Sequence, residues 1–296
     1  MVNTNSSKNE QSPLAGWGHG LLGVIIFSGS LPATRLAVQD LDPFFLTFSR
    51  ASIAGVLASL LLLGFKEKRV NSSQIGSLLF VALGVVIGFP LLTAIALQYV
   101  TSVHSIVFLG LLPLSTAIFG VIRGGERPQP KFWIFSVVGS VIVGGYALSQ
   151  NASVSVVGDM LMLAAILACG LGYAEGAKLS RELGGWQVIS WALIISLPIM
   201  LIATFITMPV SLSSVRFSVW VALFYVSFFS MLIGFIFWYK GLAVGGIAAV
   251  SQLQLLQPFI GLGLAVLFLH ETVNWILLLV TLGAVLCVAG AKKYAS

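Results

Sequence analysis

Residues 96–113, ALQYVTSVHSIVFLGLLP, have a counterpart in residues 241–258, GLAVGGIAAVSQLQLLQP. In each copy a leucine lies 16 residues before the final proline, and a glutamate lies 13 residues after it. These landmarks are Leu97, Pro113 and Glu126 in the first copy and Leu242, Pro258 and Glu271 in the second, always 145 residues apart. A constant offset over this length indicates that the chain contains a duplicated unit.

Both copies lie in a chain that is too apolar for a soluble protein. Of its 296 residues, 58% are hydrophobic and only 8% are charged, and the mean hydropathy is +1.05. Soluble domains carry about 25% charged residues. The chain is therefore predicted to be an integral membrane protein, surrounded by the lipid bilayer. Its net charge of +6 does not indicate nucleic-acid binding, because the Lys and Arg residues flank apolar runs and form no single patch.

A helix that crosses the bilayer needs about 20 mostly apolar residues. Ten segments meet this requirement: 17–37, 44–64, 74–96, 101–123, 132–149, 158–178, 186–208, 216–239, 246–269 and 273–291. They form two units of five spans, residues 17–149 and 158–291. Residues 1–16 are predicted to be a disordered cytoplasmic N-terminus, because most of this segment is polar.

The basic residues predict the orientation of the spans. Of the 15 Lys and Arg residues, all but Arg35, Arg50 and Arg216 fall on one side of the membrane, the side of the N-terminus. Basic residues favour the cytoplasmic side, so both termini are predicted to be cytoplasmic. Because five is an odd number, the second unit then enters the membrane upside down. The predicted fold class is an all-α integral membrane protein with ten transmembrane helices in two inverted five-helix repeats, an arrangement typical of secondary transporters.

Both repeats carry a proline in their fourth span, then a glutamate, then a glycine-rich last helix. These residues are Pro113, Gly125, Glu126, Gly139, Gly144 and Gly145 in the first repeat and Pro258, Glu271, Gly283 and Gly290 in the second. This pattern resembles the ten-helix EamA family of the drug/metabolite transporter superfamily. The resemblance implies a monomer or homodimer in the bacterial inner membrane that moves a small organic solute by alternating access. Export of an amino acid or related metabolite is the first expectation, and efflux of drugs or toxic compounds is the alternative.

Arg50 is the first candidate substrate-binding residue. It lies six residues into the second span, about 9–10 Å from the outer end at about 1.5 Å per residue. Ionisable residues within a membrane are costly and mark functional sites. Arg50 is predicted to bind a carboxylate of the solute. The alternatives are that it reaches the outer interface or pairs with Asp40 or Asp42.

Glu175 is the only acidic residue well within a predicted span, and it is the candidate for proton coupling. A buried carboxyl group can exchange protons near neutral pH. The alternative is an ion pair on the helix surface with Lys178, three residues further on.

The ninth span is the most polar one, and it supplies the candidates Ser251, Gln254 and Gln257. Unsatisfied amides in hydrocarbon cost several kcal/mol, which favours a position facing a cavity over simple interhelical hydrogen bonding. Tyr173 is a further candidate, because it lies near Glu175 and could stack on a flat solute. Trp238 and Tyr239 are predicted to lie in the aromatic belt at the membrane interface. Glu126 and Glu271, on opposite membrane faces, are interpreted as caps of helix ends.

The sequence lacks the motifs that are typical of other classes of protein. No phosphate-binding Gly-x-x-x-x-Gly-Lys-Ser/Thr loop is present, so neither ATP nor any cofactor is expected. An intramembrane enzyme would need a cluster such as His-Glu-x-x-His, whereas His19, His104 and His270 lie far apart in the sequence. Cys169 and Cys287 lie within apolar runs, and no metal site is expected. A passive channel remains the other alternative.

Overall fold

The computed structural model describes residues 13–67, 69–100, 105, 108–149, 155–261 and 275–295. Within these ranges the chain is helical, and no strand occurs. In chain order the α-helices are α1 Pro13–Ser28, α2 Ser30–Ala37, α3 Pro43–Gly64, α4 Ser72–Val81, α5 Phe89–Tyr99, α6 Leu112–Gly124, α7 Pro130–Ser149, α8 Val156–Leu183, α9 Gly185–Ile206, α10 Phe217–Phe224, α11 Gly234–Gly245, α12 Ile247–Ser251 and α13 Trp275–Lys293. Glu271, His104 and His270 lie outside the described residues.

Three of the junctions between these helices are themselves helical. A first π segment, Ala82–Gly88, joins α4 to α5, and a second π segment, Tyr225–Ile233, joins α10 to α11. A 3₁₀ segment, Gln252–Leu256, follows α12. π and 3₁₀ geometry inside a long helix is often found at functional sites and hinges.

Six continuous helical stretches in the described part are long and apolar enough to cross a membrane. They are Leu14–Ala37, Pro43–Gly64, Ser72–Tyr99, Val156–Leu183, Gly185–Ile206 and Phe217–Gly245. The prediction of a multi-pass all-α membrane protein is thus confirmed. The other four predicted spans coincide with α6, α7, α12 and α13, which are shorter or border residues outside the described ranges, so the number ten stays a prediction.

The outer surface of the helix bundle is apolar, as a lipid-facing surface must be. Leu63, Ile122, Val141 and Phe205 each expose more than half of their accessible area. Buried hydroxyl and amide side chains are found instead between the helices. This distribution reverses that of a water-soluble protein, because the bilayer offers no hydrogen bonds to exposed polar groups.

The helices pair across the two halves of the sequence. The most extensive contacts join α1 to α11 and α3 to α9, followed by α6 to α8, α7 to α13 and α5 to α8. Glycines allow the closest approaches: Gly16 lies against the backbone of Gly245, and Gly84 lies against that of Gly172. Small residues at such crossings let two backbones pack closely, which stabilises helix association where no hydrophobic driving force exists.

Trp238 and Tyr239 do not lie in an interfacial belt, and that prediction was wrong. Both side chains are completely buried. Trp238 packs against Gly23 of α1, and Tyr239 packs against Gly176 of α8, where its hydroxyl donates a hydrogen bond to the Gly172 carbonyl at 3.1 Å. The missing side chain of Gly176 provides the space for the Tyr239 ring, and that of Gly23 lets α1 approach the backbone of Trp238.

Candidate functional site

A cavity of about 40 Å³ lies inside the bundle, between helices from both halves of the sequence. Its lining combines aromatic and aliphatic side chains with hydroxyl, amide and guanidinium groups: Phe27, Ser30, Leu31, Thr34, Arg50, Val85, Phe89, Pro90, Thr93, Leu109, Leu112, Tyr173, Ser230, Phe235 and Gln257. A single water needs about 10–15 Å³ of such space. The conformation described therefore has room for a few waters.

Three of the predicted substrate-binding residues, Arg50, Tyr173 and Gln257, meet in this cavity. Each is buried, with 6%, 4% and 8% of its surface exposed, respectively. The Gln257 amide also donates a hydrogen bond to the Phe27 carbonyl at 3.3 Å, which ties the ninth predicted span to α1. These residues come from three separate helical stretches, so the cavity is a property of the fold and not of one helix.

Arg50 has few partners in its buried position. Its Nη2 donates a single long hydrogen bond of 3.4 Å to the Ser230 hydroxyl, and its Nε is buried without a partner among the described residues. The alternative pairing with Asp40 or Asp42 is wrong. Asp40 is held by Arg216, and the Asp42 carboxylate caps α3 by accepting from the backbone N–H of Phe44 at 2.8 Å.

The cap at Asp42 places Arg50 in the fold. Pro43 follows it at the start of α3, a position that proline favours because its fixed φ suits the first turn and no N–H is needed there. The second turn of α3 then carries Arg50 into the bundle, where it faces the second π segment at Ser230.

The two π segments meet the cavity at equivalent points. Val85 of the first π segment and Ser230 of the second both line it, and they are 145 residues apart, the offset of the sequence repeat. The Ser230 hydroxyl accepts a hydrogen bond from Ser30 at 2.8 Å as well as the one from Arg50. The polar group of this symmetric pair is therefore supplied by the second half alone.

The other two candidates of the ninth predicted span do not line the cavity. Ser251 hydrogen-bonds to the carbonyl of Ala248 at 2.9 Å and faces that of Pro113 at 3.4 Å, so it joins α12 to α6. The buried amide of Gln254 faces the Tyr173 hydroxyl, but neither of its atoms meets hydrogen-bond geometry with any described residue. Pro258, the proline of the second repeat, is also buried.

Glu175 forms an ion pair with Arg123 at the end of α6, and the alternative partner Lys178 was wrong. The Glu175 side chain is fully buried, whereas that of Arg123 is 42% exposed. Glu175 Oε1 takes the contact, and its Oε2 is buried without a partner among the described residues. The spacing rule for ion pairs on a helix surface applies only to residues of the same helix. Here the partner, Arg123, comes from a different helix, α6.

The Glu126 side chain lies at the start of α12, a helix that begins 121 residues later in the chain. Its two carboxylate oxygens accept hydrogen bonds from the backbone N–H groups of Ile247 at 2.6 Å and Ala248 at 2.7 Å. Arg181 of α8 adds an ion pair at 3.0 Å. Gly125, with a φ of 71°, ends α6 in the left-handed conformation that lets the chain turn toward α12. A carboxylate is favoured here, because the free N–H groups and the dipole of a helix start attract negative charge.

Asp40 and Arg216 link two loops: Asp40 follows the end of α2, and Arg216 directly precedes the start of α10. The Arg216 side chain forms a salt bridge to Asp40 at 2.8 Å, and its backbone N–H donates to the same carboxylate at 3.1 Å. Side-chain and backbone hydrogen bonds from Arg216 hold the pKa of Asp40 below its ordinary value of 3.8. The same hydrogen bond raises the pKa of Arg216.

Four hydroxyl groups of the cavity were not predicted from the sequence: those of Ser30, Thr34, Thr93 and Ser230. Serine and threonine are common inside membrane helices, where they bond to the preceding turn, so their presence alone gives no signal. The 145-residue offset would have paired Ser230 with Val85, but only the structure shows that both face a cavity.

Comparison with known proteins agrees with this architecture. The sequence model of the EamA-like transporter family matches residues 15–148 and again residues 156–291. The chain is 63% identical over 280 residues to the uncharacterized transporter YdeK of Bacillus subtilis (strain 168), covering 95% of this chain and 98% of that protein. It is also 24% identical over 253 residues to the uncharacterized transporter YyaM of the same strain, covering 81% and 82%.

A solved crystal structure of another protein shares the fold, with a TM-score of 0.77 at 17% sequence identity, covering 96% of this chain and 98% of that one. The two family matches and the YdeK similarity place the sequence in a known group of membrane transporters. The chain belongs to the EamA-like transporter family.

Proposed function

We propose that the chain is a secondary transporter that moves a small organic metabolite, an amino acid or related solute, by alternating access around the central cavity. The expected direction is export across the bacterial inner membrane, with both termini in the cytoplasm. Two inverted units of five spans, residues 17–149 and 158–291, would rock around the cavity to expose it to one side at a time.

The observation that carries the proposal is the position of the cavity. Its lining includes Arg50 and Phe89 from the first sequence half and Tyr173, Ser230 and Gln257 from the second. In transporters built from inverted repeats, substrate sites lie at the interface between the repeats near the middle of the membrane. A cavity at this interface can open to either side when the halves move relative to each other.

The helix contacts support a two-fold relation between the halves. In terms of the ten predicted spans, α1 with α11 pairs spans 1 and 8, and α5 with α8 pairs spans 3 and 6. Exchanging the halves turns each of these pairs into the other. The pairs of α3 with α9 and α7 with α13, which are spans 2 and 7 and spans 5 and 10, map onto themselves. A two-fold relation between the halves produces this set of contacts.

Two polar contacts close the bundle on the side that the basic residues assign to the cytoplasm. Glu126 binds the start of α12 and Arg181, and Glu175 binds Arg123. These contacts join α6 and the residues after it to α8 and α12. An inward-open state would require at least some of them to break, so we propose that they stabilise the inward-closed state.

Glu175 remains our candidate for proton coupling. Protonation would remove its charge and weaken its pair with Arg123, which frees α6 from α8. Arg123 is half exposed and can be solvated once the pair is broken. The Glu175→Gln variant should therefore transport its solute at a rate that does not depend on a pH gradient.

Counterflow in proteoliposomes tests the proposal. The vesicles are loaded with unlabelled solute, and uptake of trace labelled amino acids, sugars or cationic dyes is measured with and without a pH gradient. A carrier shows uptake that the internal solute accelerates. Flux that is insensitive to the internal solute would identify a channel, and exchange of the dyes alone would establish the drug-efflux alternative. Liposomes without protein and the Glu175→Gln variant are the controls.

A further inference from the structure

Arg50 carries a positive charge that nothing in the described structure balances. Only 6% of the residue is exposed, and its guanidinium makes one long hydrogen bond to Ser230, with its Nε left without a partner among the described residues. Removing a charge from water is costly unless a partner of opposite charge and good geometry replaces the lost hydration. The cavity beside the guanidinium is where such a partner would bind.

The acidic residues that the structure describes lie away from the cavity. The sequence contains nine: Glu10, Asp40, Asp42, Glu67, Glu126, Asp159, Glu175, Glu182 and Glu271. Seven of them lie in the described ranges, and none lines the cavity. Asp40, Glu126 and Glu175 pair with other arginines, and Asp42 caps α3. Within the described ranges, therefore, no acidic side chain is placed to balance Arg50, which favours a counter-ion supplied by the solute.

A second unpartnered polar group lies in the same cavity wall. The hydroxyl of Thr93, a residue only 3% exposed, has no hydrogen-bond partner among the described residues. Ser30 and Ser230 already bond to each other at 2.8 Å, and Ser230 also accepts from Arg50. Arg50 and Thr93 thus offer two donors that an oxygen-rich anionic group would satisfy.

The remainder of the wall is uncharged and rich in aromatic rings. Phe27, Phe89, Tyr173 and Phe235 supply the apolar surface, and no described lining residue could form an ion pair with an ammonium group. Arg50 would in addition repel a cation. The planar guanidinium favours two parallel hydrogen bonds to a carboxylate, a geometry that a spherical inorganic anion does not match.

We infer that Arg50 is the anion-binding group of this carrier and that the cargo is an organic monocarboxylate with an uncharged, apolar body. The inference rests on the proposed carrier function and changes its expected cargo. Among small organic metabolites it favours acids without an ammonium group over the amino acids first expected, and it disfavours cationic drugs. The carboxylate binds Arg50 and Thr93, and the apolar body lies against the aromatic wall. Because the described cavity holds only a few waters, it widens when the cargo binds.

Four probes that share one ring and differ in charge test the inference: phenylacetate, its neutral amide phenylacetamide, the cation 2-phenylethylammonium, and zwitterionic phenylalanine. Binding to the purified full chain in detergent is read from the ligand-dependent rise in melting temperature. Only phenylacetate is expected to produce a saturable rise. An equal or larger effect of the cation, the zwitterion, the amide, or sodium chloride at the same ionic strength would overturn the inference.

Variants separate Arg50 from general effects of charge. Arg50→Gln should weaken phenylacetate binding about 30-fold or more, as expected when one partner of a buried charged pair is truncated. Arg50→Lys should keep part of the affinity, and the loop variant Arg216→Gln should keep all of it. If Arg50→Gln does not fold, Thr93→Val, which leaves the arginine in place, should still weaken phenylacetate binding several-fold. Unchanged affinity in Arg50→Gln, or in Thr93→Val, would contradict the inference.

Transport data distinguish this inference from the proposed function. Saturable phenylacetate binding without any trans-stimulated exchange would overturn the carrier function and leave the anion site in place. Trans-stimulated exchange restricted to cations or zwitterions would overturn the anion site and leave the carrier function in place.

Discussion

The carboxylate of Glu126 accepts a hydrogen bond of 2.6 Å from the backbone N–H of Ile247, a residue 121 positions later in the chain. Glu126 follows the last helix turn of α6, and Ile247 begins α12. The glutamate that ends one copy of the sequence repeat thus caps a helix that lies within the other copy. Through this contact the position of α12 depends on that of α6.

Replacing Glu126 by alanine should destabilise the protein by about 1–2 kcal/mol, because the cap supplies acceptors for two free N–H groups and a charge at a helix start. The stability of Glu126→Gln, which keeps an acceptor but loses the charge, should lie between that of the wild type and that of Glu126→Ala. The melting temperature of the purified variants measures this, with Glu67→Ala, a change at an exposed loop glutamate, as control. Equal melting temperatures for Glu126→Ala and Glu67→Ala would show that the cap does not contribute.

The ion pair between Arg123 and Glu175 should show a characteristic double-mutant cycle. Arg123→Gln leaves a fully buried carboxylate without a partner, whereas Arg123→Gln combined with Glu175→Gln removes both charges. We expect the single variant to be less stable than the double variant by about 2 kcal/mol, below the range for a fully buried pair because Arg123 is half exposed. Melting temperatures of the four proteins measure the coupling. A double variant at least as unstable as Arg123→Gln would rule out this account.

The close approach of α8 to the first π segment predicts a strong effect at Gly84. A Cβ there would lie 2.5 Å from the Ala168 carbonyl oxygen, whereas a Cβ at Gly76 of α4 would meet nothing within 4 Å. Gly84→Ala should therefore destabilise by about 1–3 kcal/mol through overpacking. Gly76→Ala should be neutral or stabilising by up to about 1 kcal/mol, since alanine is the better helix former. The comparison of the two melting temperatures fails if Gly84→Ala is as stable as Gly76→Ala.

The loop pair of Asp40 and Arg216 predicts a contribution to stability that depends on pH. The pKa of Asp40 is lowered in the folded state, so its contribution is fully present above the ordinary value of about 3.8 and is lost as the pH falls through the lowered value. The melting temperature of the wild type should therefore fall at acid pH in part because this pair is lost. In Asp40→Asn and in Arg216→Gln that part of the fall should be absent. The interaction would be refuted if either variant kept the acid dependence of the wild type.

Sequence reasoning predicted the features that depend on one helix at a time. Hydropathy located the six spans that the structure confirms, because a bilayer requires about 20 apolar residues wherever the helix packs. Polarity within a span picked out Arg50 and Gln257, and an aromatic ring near Glu175 picked out Tyr173. The structure brings these three residues together. The sequence also suggested that Glu126 caps a helix end. The neighbouring residues did not show that the capped helix is α12.

Contacts between distant helices were not predictable in the same way. Arg123 reaches Glu175 from another helix, so the spacing rule that favoured Lys178 could not detect it. Hydropathy does not say which face of a span turns inward, and Trp238 therefore appeared interfacial although it packs on Gly23. The π segments have no composition of their own, and only their backbone geometry reveals them.

Gln254 offers a test of whether a buried amide is kept for function at the expense of stability. Its side chain is 1% exposed, and both amide atoms lack hydrogen bonds within the described residues. An unsatisfied buried polar group costs about 1–3 kcal/mol, so Gln254→Met, which has a similar volume, should be neutral or stabilising. By contrast, Gln257→Met removes the hydrogen bond to the Phe27 carbonyl and should destabilise by about 1 kcal/mol.

If the amide of Gln254 is used in a conformation that forms during transport, Gln254→Met should raise the melting temperature while lowering the rate of counterflow exchange. The rate comparison needs equal amounts of reconstituted protein, checked by quantifying the protein in the vesicles. A stabilised variant with wild-type exchange would show that Gln254 has no part in the transport cycle. A destabilised variant would show that the amide has partners in the resting state, and the argument from its missing hydrogen bonds would fail.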